Sequence, residues 1–196
     1  MGVLLEANLG NPFYWDWEYD VLYWFQSIQN PVLTAIMKAI TFLGNSGWFW
    51  IAITLLLLFF QKDKKMGWTS FVSLLLTLLI TNLILKNAFA RMRPYFVPEI
   101  GQGLNLLISK PSEFSFPSGH TSCSFSSAVA IFTRDKKWGT AAIIVATLVG
   151  ISRMYFTVHY PTDVIGGVVV GILDGVLAYI IVNAIYKRRA NKELTA

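Results

Sequence analysis

His159 and Asp163 stand four residues apart in the stretch Ser152-Arg153-Met-Tyr-Phe-Thr-Val-His159-Tyr-Pro161-Thr-Asp163. Pro161 suits the first position of a helix, which puts Asp163 in the first turn and His159 just ahead of it. The carboxylate can then reach one imidazole nitrogen. The other nitrogen keeps its lone pair, for use as a nucleophile or a base.

Two further clusters carry groups suited to an anion. In Phe116-Pro117-Ser118-Gly119-His120, proline and serine open a helix. The helix start gathers unbonded N–H groups and the positive end of the dipole, and Gly119 lets a ligand approach the backbone. This is a phosphate cradle with His120 beside it. In the segment from Lys86 to Pro94, Lys86 and Arg93 are seven residues apart and return to one face, within about 20°, if the helix continues that far. Arg91 falls off that face and is left out of the site. Pro94 then turns the chain out of the helix.

The elements that position these residues follow from composition. Of 196 residues, 55% are hydrophobic, 15% aromatic and 14% charged, and the mean hydropathy is +0.53. Such a chain is neither a soluble globular protein nor a disordered one. Runs without charge cover residues 48–60, 66–85 and 138–151, and 164–186 is broken only by Asp174. Residues 117–132, rich in Ser, Ala and Gly, read as a helix packed among others. The expected fold is an all-α integral membrane bundle of five spans, with interfacial or half-inserted helices over residues 17–43. A sixth crossing would put the N-terminus in the cytoplasm. The organisation is read as 1–46 for the interfacial helices and 47–196 for the catalytic bundle.

The 16 Lys plus Arg against 11 Asp plus Glu report topology, not a nucleic-acid partner. Lys62, Lys64 and Lys65, then Arg134, Lys136 and Lys137, then Lys187, Arg188, Arg189 and Lys192 follow alternate spans, which makes those loops cytoplasmic. Residues 13–25 are dense in Tyr and Trp, as a membrane interface favours. Residues 1–9 have no basic start and no long apolar core, so they do not read as a secretory signal. The expected location is a bacterial inner membrane, with the chemistry on the extracytoplasmic face.

Each cluster alone has a plainer reading. Lys and Arg at helix ends snorkel toward headgroups, and a Pro-Ser-Gly turn is common punctuation. Yet Lys86, Arg93, Arg153, the helix-start cradle, Asp163 and the only two histidines of the chain all fall on one face. Independent accidents would scatter over both.

The spacings Lys-x6-Arg-Pro, Pro-Ser-Gly-His and Ser-Arg-x5-His-x3-Asp together resemble the type 2 phosphatidic acid phosphatase (PAP2) superfamily of lipid phosphatases and vanadium haloperoxidases. The resemblance spans roughly residues 86–163. It implies that His159 attacks phosphorus to form a phosphohistidine, that Asp163 orients it, and that His120 protonates the leaving oxygen. It also implies that Lys86, Arg93, Arg153, Ser118 and the Gly119 N–H hold the phosphoryl oxygens, with no metal and no other cofactor. The partner would be the bilayer and a lipid phosphate in it, such as phosphatidic acid, phosphatidylglycerol phosphate or undecaprenyl diphosphate. A non-catalytic anionic-lipid binder or transporter is the alternative, although it has no use for an imidazole oriented by a carboxylate.

Three features stand apart. The loop 95–115 offers Tyr95, Glu99, Gln102, Lys110 and Glu113 for headgroup discrimination, though each also fits a solvated loop. Asp174 lies about three turns beyond Asp163 on the same side of the last helix, roughly 16 Å deeper. It should face the bundle, because a lipid-facing carboxylate costs about 3 kcal/mol or more, and Asn82 is a candidate partner. Lys38 is a lone charge in an apolar helical stretch.

Overall fold

The apolar runs become long helices. The computed structural model describes residues 13–98 and 101–195, so Glu99 and the stretch 1–9 lie outside the described residues. The helices are α1 (Asp16–Ser27), α2 (Pro31–Gly44), α3 (Trp48–Phe60) and α4 (Lys65–Thr77). A π-helical continuation (Leu78–Leu85) leads into α5 (Lys86–Phe89). After a loop come α6 (Gly119–Phe132), α7 (Lys136–Tyr155) and α8 (Pro161–Thr195).

Four stretches among the described residues are long and apolar enough to cross a membrane: Pro31–Phe60, Lys65–Phe89, Lys136–Tyr155 and Pro161–Glu193. The chain is a multi-pass α-helical membrane protein. The first stretch is broken where expected, at residues 45–47, by positive φ at Ser46 (49°) and Gly47 (66°). The expected span 117–132 differs from the others. It is α6, 14 residues long, or about 21 Å against a hydrocarbon layer of about 30 Å. Most of its residues are buried, because other helices surround it and it need not present an apolar face to lipid.

Helix α6 sits against α8 through a row of glycines at four-residue spacing. A β-carbon at Gly167 would lie 2.8 Å from Thr121, one at Gly171 2.7 Å from the Ser122 carbonyl, and one at Gly175 2.8 Å from the Ser126 carbonyl. Small residues permit this backbone approach in a membrane bundle. One consequence is direct: Ser118 N–H donates to the Asp163 carbonyl at 3.0 Å, tying the starts of both helices together.

Polar side chains inside the bundle find partners across helices. Trp50 Nε1 donates to Ser124 Oγ (2.9 Å), while Ser70 Oγ lies 2.6 Å from Thr54 Oγ1 and 2.8 Å from Ser127 Oγ. Asp174 is buried, as expected, but its partner is Thr77 Oγ1 at 2.7 Å and not Asn82. Asn82 lies beyond the start of the π-helical stretch and lines the cavity beside Gly119.

The basic loops gather at one end. Lys65 lies over the Tyr186 ring (5.4 Å), and Arg134 donates to Thr69 (3.1 Å) and Asn183 (2.8 Å). Both histidines lie at the other end. There α1 and the start of α2 cap the bundle, with Gln29 bonded to the Tyr155 carbonyl (2.9 Å) and Thr34 Oγ1 2.7 Å from the Tyr155 hydroxyl.

Candidate active site

His159 is presented by a tight turn between α7 and α8 in which Thr157 has a φ of 54°, a strained value for a β-branched residue. Helix α8 begins at Pro161, as its sequence predicts, and the Asp163 carboxylate reaches back to the Tyr160 N–H at 2.9 Å. That turn puts His159 Nδ1 3.3 Å from Asp163 Oδ2. A carboxylate accepts, so Nδ1 carries the proton and Nε2 has the lone pair. Arg93 Nη1 lies 3.2 Å from Nε2. Burial first, and then Arg93, Arg153 and Lys86, hold the His159 imidazole well below the usual histidine range, which keeps it neutral.

Asp163 is fully buried and held by several donors. Besides Tyr160 N–H, Ser115 Oγ donates to Oδ2 (2.5 Å) and Arg91 Nη1 to Oδ1 (2.6 Å). Arg91 also donates to Glu18 Oε2 (2.6 Å), Thr162 Oγ1 (2.7 Å) and the Phe13 carbonyl (3.0 Å), and its guanidinium lies 4.0 Å from the Tyr160 ring centre. Glu18 and Arg91 are both fully buried. Arg91, which its helical position sets apart from the Lys86 and Arg93 face, instead contacts the Asp163 carboxylate directly. The helix that would carry residue 91 off the Lys86 face ends at Phe89, and Ala90 turns left-handed (φ 44°). The same ending removes the condition under which Lys86 and Arg93 share a helical face.

Arg93 reaches the site from extended backbone instead. Its Nε donates to the Glu113 carbonyl (2.7 Å) and Nη1 to the Val158 carbonyl (2.8 Å). Lys86, nearly buried, forms an ion pair with the exposed Glu113 carboxylate. Arg153, at the end of α7, is 2% exposed. Its Nη1 donates to Thr41 Oγ1 (2.7 Å), while its Nε is buried without a partner. An unpaired buried donor on a cation suits an incoming anion.

His120 opens the second turn-to-helix corner, with Nε2 3.0 Å from Asn45 Oδ1. Asn45 belongs to the break between α2 and α3, which the sequence marks only as a turn. Ser122 N–H makes the first bond of α6, to the Ser118 carbonyl (2.9 Å), so the N–H groups of 119–121 precede the helical ladder. A β-carbon at Gly119 would lie 3.5 Å from Lys86 Nζ, which places this backbone against the ammonium group. Ser118 is set back from the cavity wall. It is fully buried, and its hydroxyl accepts from Thr121 Oγ1 (3.0 Å).

A cavity of about 750 Å³ unites these groups. Lys86, Arg93, Gly119, His120, Arg153 and His159 line its head, and Ile51 and Leu55 of α3, Phe71, Leu74 and Leu75 of α4 and Leu78 just beyond α4 line its continuation. In the loop above, Lys110 and Glu113 border the cavity. Tyr95 instead bonds the Pro111 carbonyl (2.7 Å), and burial pushes its hydroxyl up to about 12. It anchors the loop. Among the described residues no three His, Cys, Asp or Glu side chains converge as a metal centre requires.

Fold and site define a polytopic helical membrane protein with a pocket lined by two imidazoles and three basic side chains, continuing along apolar residues. The chain belongs to the PAP2 superfamily, which it matches over residues 66–187. It is 34% identical over 151 residues to an undecaprenyl-diphosphatase of Sulfolobus acidocaldarius, covering 75% of this chain and 71% of that protein. It is also 34% identical over 163 residues to phosphatidylglycerophosphatase B of Bacillus subtilis, covering 74% and 73%. The crystal structure of Aquifex aeolicus LpxE superposes with a TM-score of 0.71 at 25% identity, covering 81% of this chain and 92% of that one.

Proposed function

We propose that this protein is a metal-independent lipid phosphatase that removes a phosphoryl group from a membrane lipid phosphate or diphosphate. The observation that carries the reading is the single cavity on which Lys86, Arg93, Arg153, His120 and His159 converge, with an apolar floor running into the bundle. His159 Nε2 attacks phosphorus in line, and Asp163, bonded to Nδ1, stabilises the positive charge that grows on the ring. His120, oriented by Asn45, protonates the leaving oxygen and then helps activate the water that hydrolyses the phosphohistidine. Lys86, Arg93, Arg153 and the Gly119 N–H neutralise the phosphoryl oxygens in the transition state, with Ser118 fixing the helix start.

Tails lying in the groove between α3 and α4 would keep the headgroup at the cations. The basic loops at the far end support a site on the extracytoplasmic face of the cell inner membrane. The donor set supports independence from metal, since three fixed cations supply the charge that two metals otherwise would.

The test is phosphate release in mixed micelles from phosphatidic acid, phosphatidylglycerol phosphate and a prenyl diphosphate, with excess EDTA. The purified protein should turn over at least one of them, and His159→Ala none. A variant as active as the parent would overturn the reading and favour a lipid-binding role, and activity restored only by Mg²⁺ would overturn its independence from metal.

A further inference from the structure

A second cavity of about 600 Å³ adjoins the first, and His120 and Arg153 form part of the wall of both. Its other polar lining includes Lys38, Thr41, Asn45 and Ser46. Lys38 is the one charged residue of α2, within Pro-Val-Leu-Thr-Ala-Ile-Met-Lys-Ala-Ile-Thr-Phe-Leu-Gly. Residues 38, 41 and 45 follow a spacing of three and then four, one stripe of a helix. Thr41 on that stripe bonds Arg153, and Asn45 at its end bonds His120. Lys38, exposed at the second cavity, therefore shares the stripe of α2 whose other two side chains bond the groups at the first cavity.

We infer that Lys38 recognises a second phosphate on the leaving group, which makes a lipid diphosphate the preferred substrate class. The inference rests on the phosphatase reading above and refines it. The terminal phosphoryl group occupies the head of the first cavity among Lys86, Arg93 and Arg153. The bridging oxygen then lies at His120, and the inner phosphate sits at the junction of the two cavities, beside Arg153. Its non-bridging oxygens face Lys38, while its ester oxygen leads to the tail in the apolar groove.

In the reaction, His159 Nε2 forms a bond to the terminal phosphorus, and the bond from that phosphorus to the bridging oxygen breaks. The bridging oxygen takes the pair of electrons and the His120 proton, giving the lipid monophosphate. Water then attacks the phosphohistidine and releases inorganic phosphate. The departing group is itself an anion, so a fixed cation on its side of the scissile bond lowers the barrier. For a monophosphate lipid the leaving group is a neutral alcohol, and Lys38 has nothing to offset.

The experiment compares kcat/KM for farnesyl diphosphate and farnesyl monophosphate in detergent, using the full chain and its Lys38→Met and Lys38→Arg variants. Lys38→Met should lower kcat/KM for the diphosphate about tenfold, leave the monophosphate within about twofold, and be largely rescued by arginine. Equal losses on both substrates would show a structural lysine, and an undiminished diphosphate rate would show an idle one. Either result overturns the inference. Failure of the phosphatase reading has a different signature: neither substrate is cleaved above the His159→Ala background.

Discussion

Arg91 Nη1 lies 2.6 Å from Asp163 Oδ1, with both side chains fully buried. The Asp163 carboxylate is thus not a free group but one link in a chain that runs Glu18, Arg91, Asp163, His159. Removing the cation strands two buried carboxylates. Arg91→Met should cost about 3 kcal/mol of stability, read as a lower Tm in detergent. It should also lower kcat, because Asp163 then no longer holds the His159 ring in place. Unchanged melting and turnover would show that the chain carries no energetic weight.

His159 sets the pH behaviour. Burial and the surrounding cations lower its affinity for a proton, so the neutral, nucleophilic form persists as the pH falls through the ordinary histidine value near 6.5. The chain has two histidines, so ring-labelled His120→Asn protein gives one imidazole signal. That signal should not titrate between pH 8 and 5.5. A midpoint near 6.5 would contradict the electrostatics described.

Much of this site is legible in the sequence, because turn-to-helix corners have local signatures. Pro161 and the Pro-Ser-Gly corner fix where α8 and α6 begin, and the four-residue spacing brings His159 to Asp163 with no tertiary information. What fails is extrapolation along a helix. Projection from Lys86 assumes the helix continues, but Ala90 adopts a left-handed conformation that nothing in its type announces. Arg91 is excluded and Arg93 reaches the cavity by another route. Glu18 and Asn45 are invisible for a different reason, since their partners lie 73 and 75 residues away. A hint exists for the first: a cation on the face where the orientation rule disfavours it calls for a buried acid.

Glu113 occupies the Lys86 ammonium while remaining two-thirds exposed itself. Lys86, through a hydrogen bond, holds the Glu113 carboxyl below its usual range, so the pair persists at neutral and mildly acidic pH. An incoming phosphoryl group competes with that carboxylate. Glu113→Gln should therefore tighten inhibition by vanadate or inorganic phosphate several-fold, with kcat changed less. Weaker inhibition would show that Glu113 helps to hold the anion.

The central claim is that the cations gathered around the cavity deliver phosphorus to His159. Turnover of a ³²P-labelled lipid phosphate, quenched in alkaline detergent to preserve the acid-labile P–N bond and followed by peptide mapping at alkaline pH, tests it directly. The label should appear on the peptide containing His159, be absent from His159→Ala, and accumulate in His120→Ala once a good leaving group bypasses the need for protonation. Turnover that leaves no phosphohistidine under these conditions, or a label on any other residue, would contradict the account.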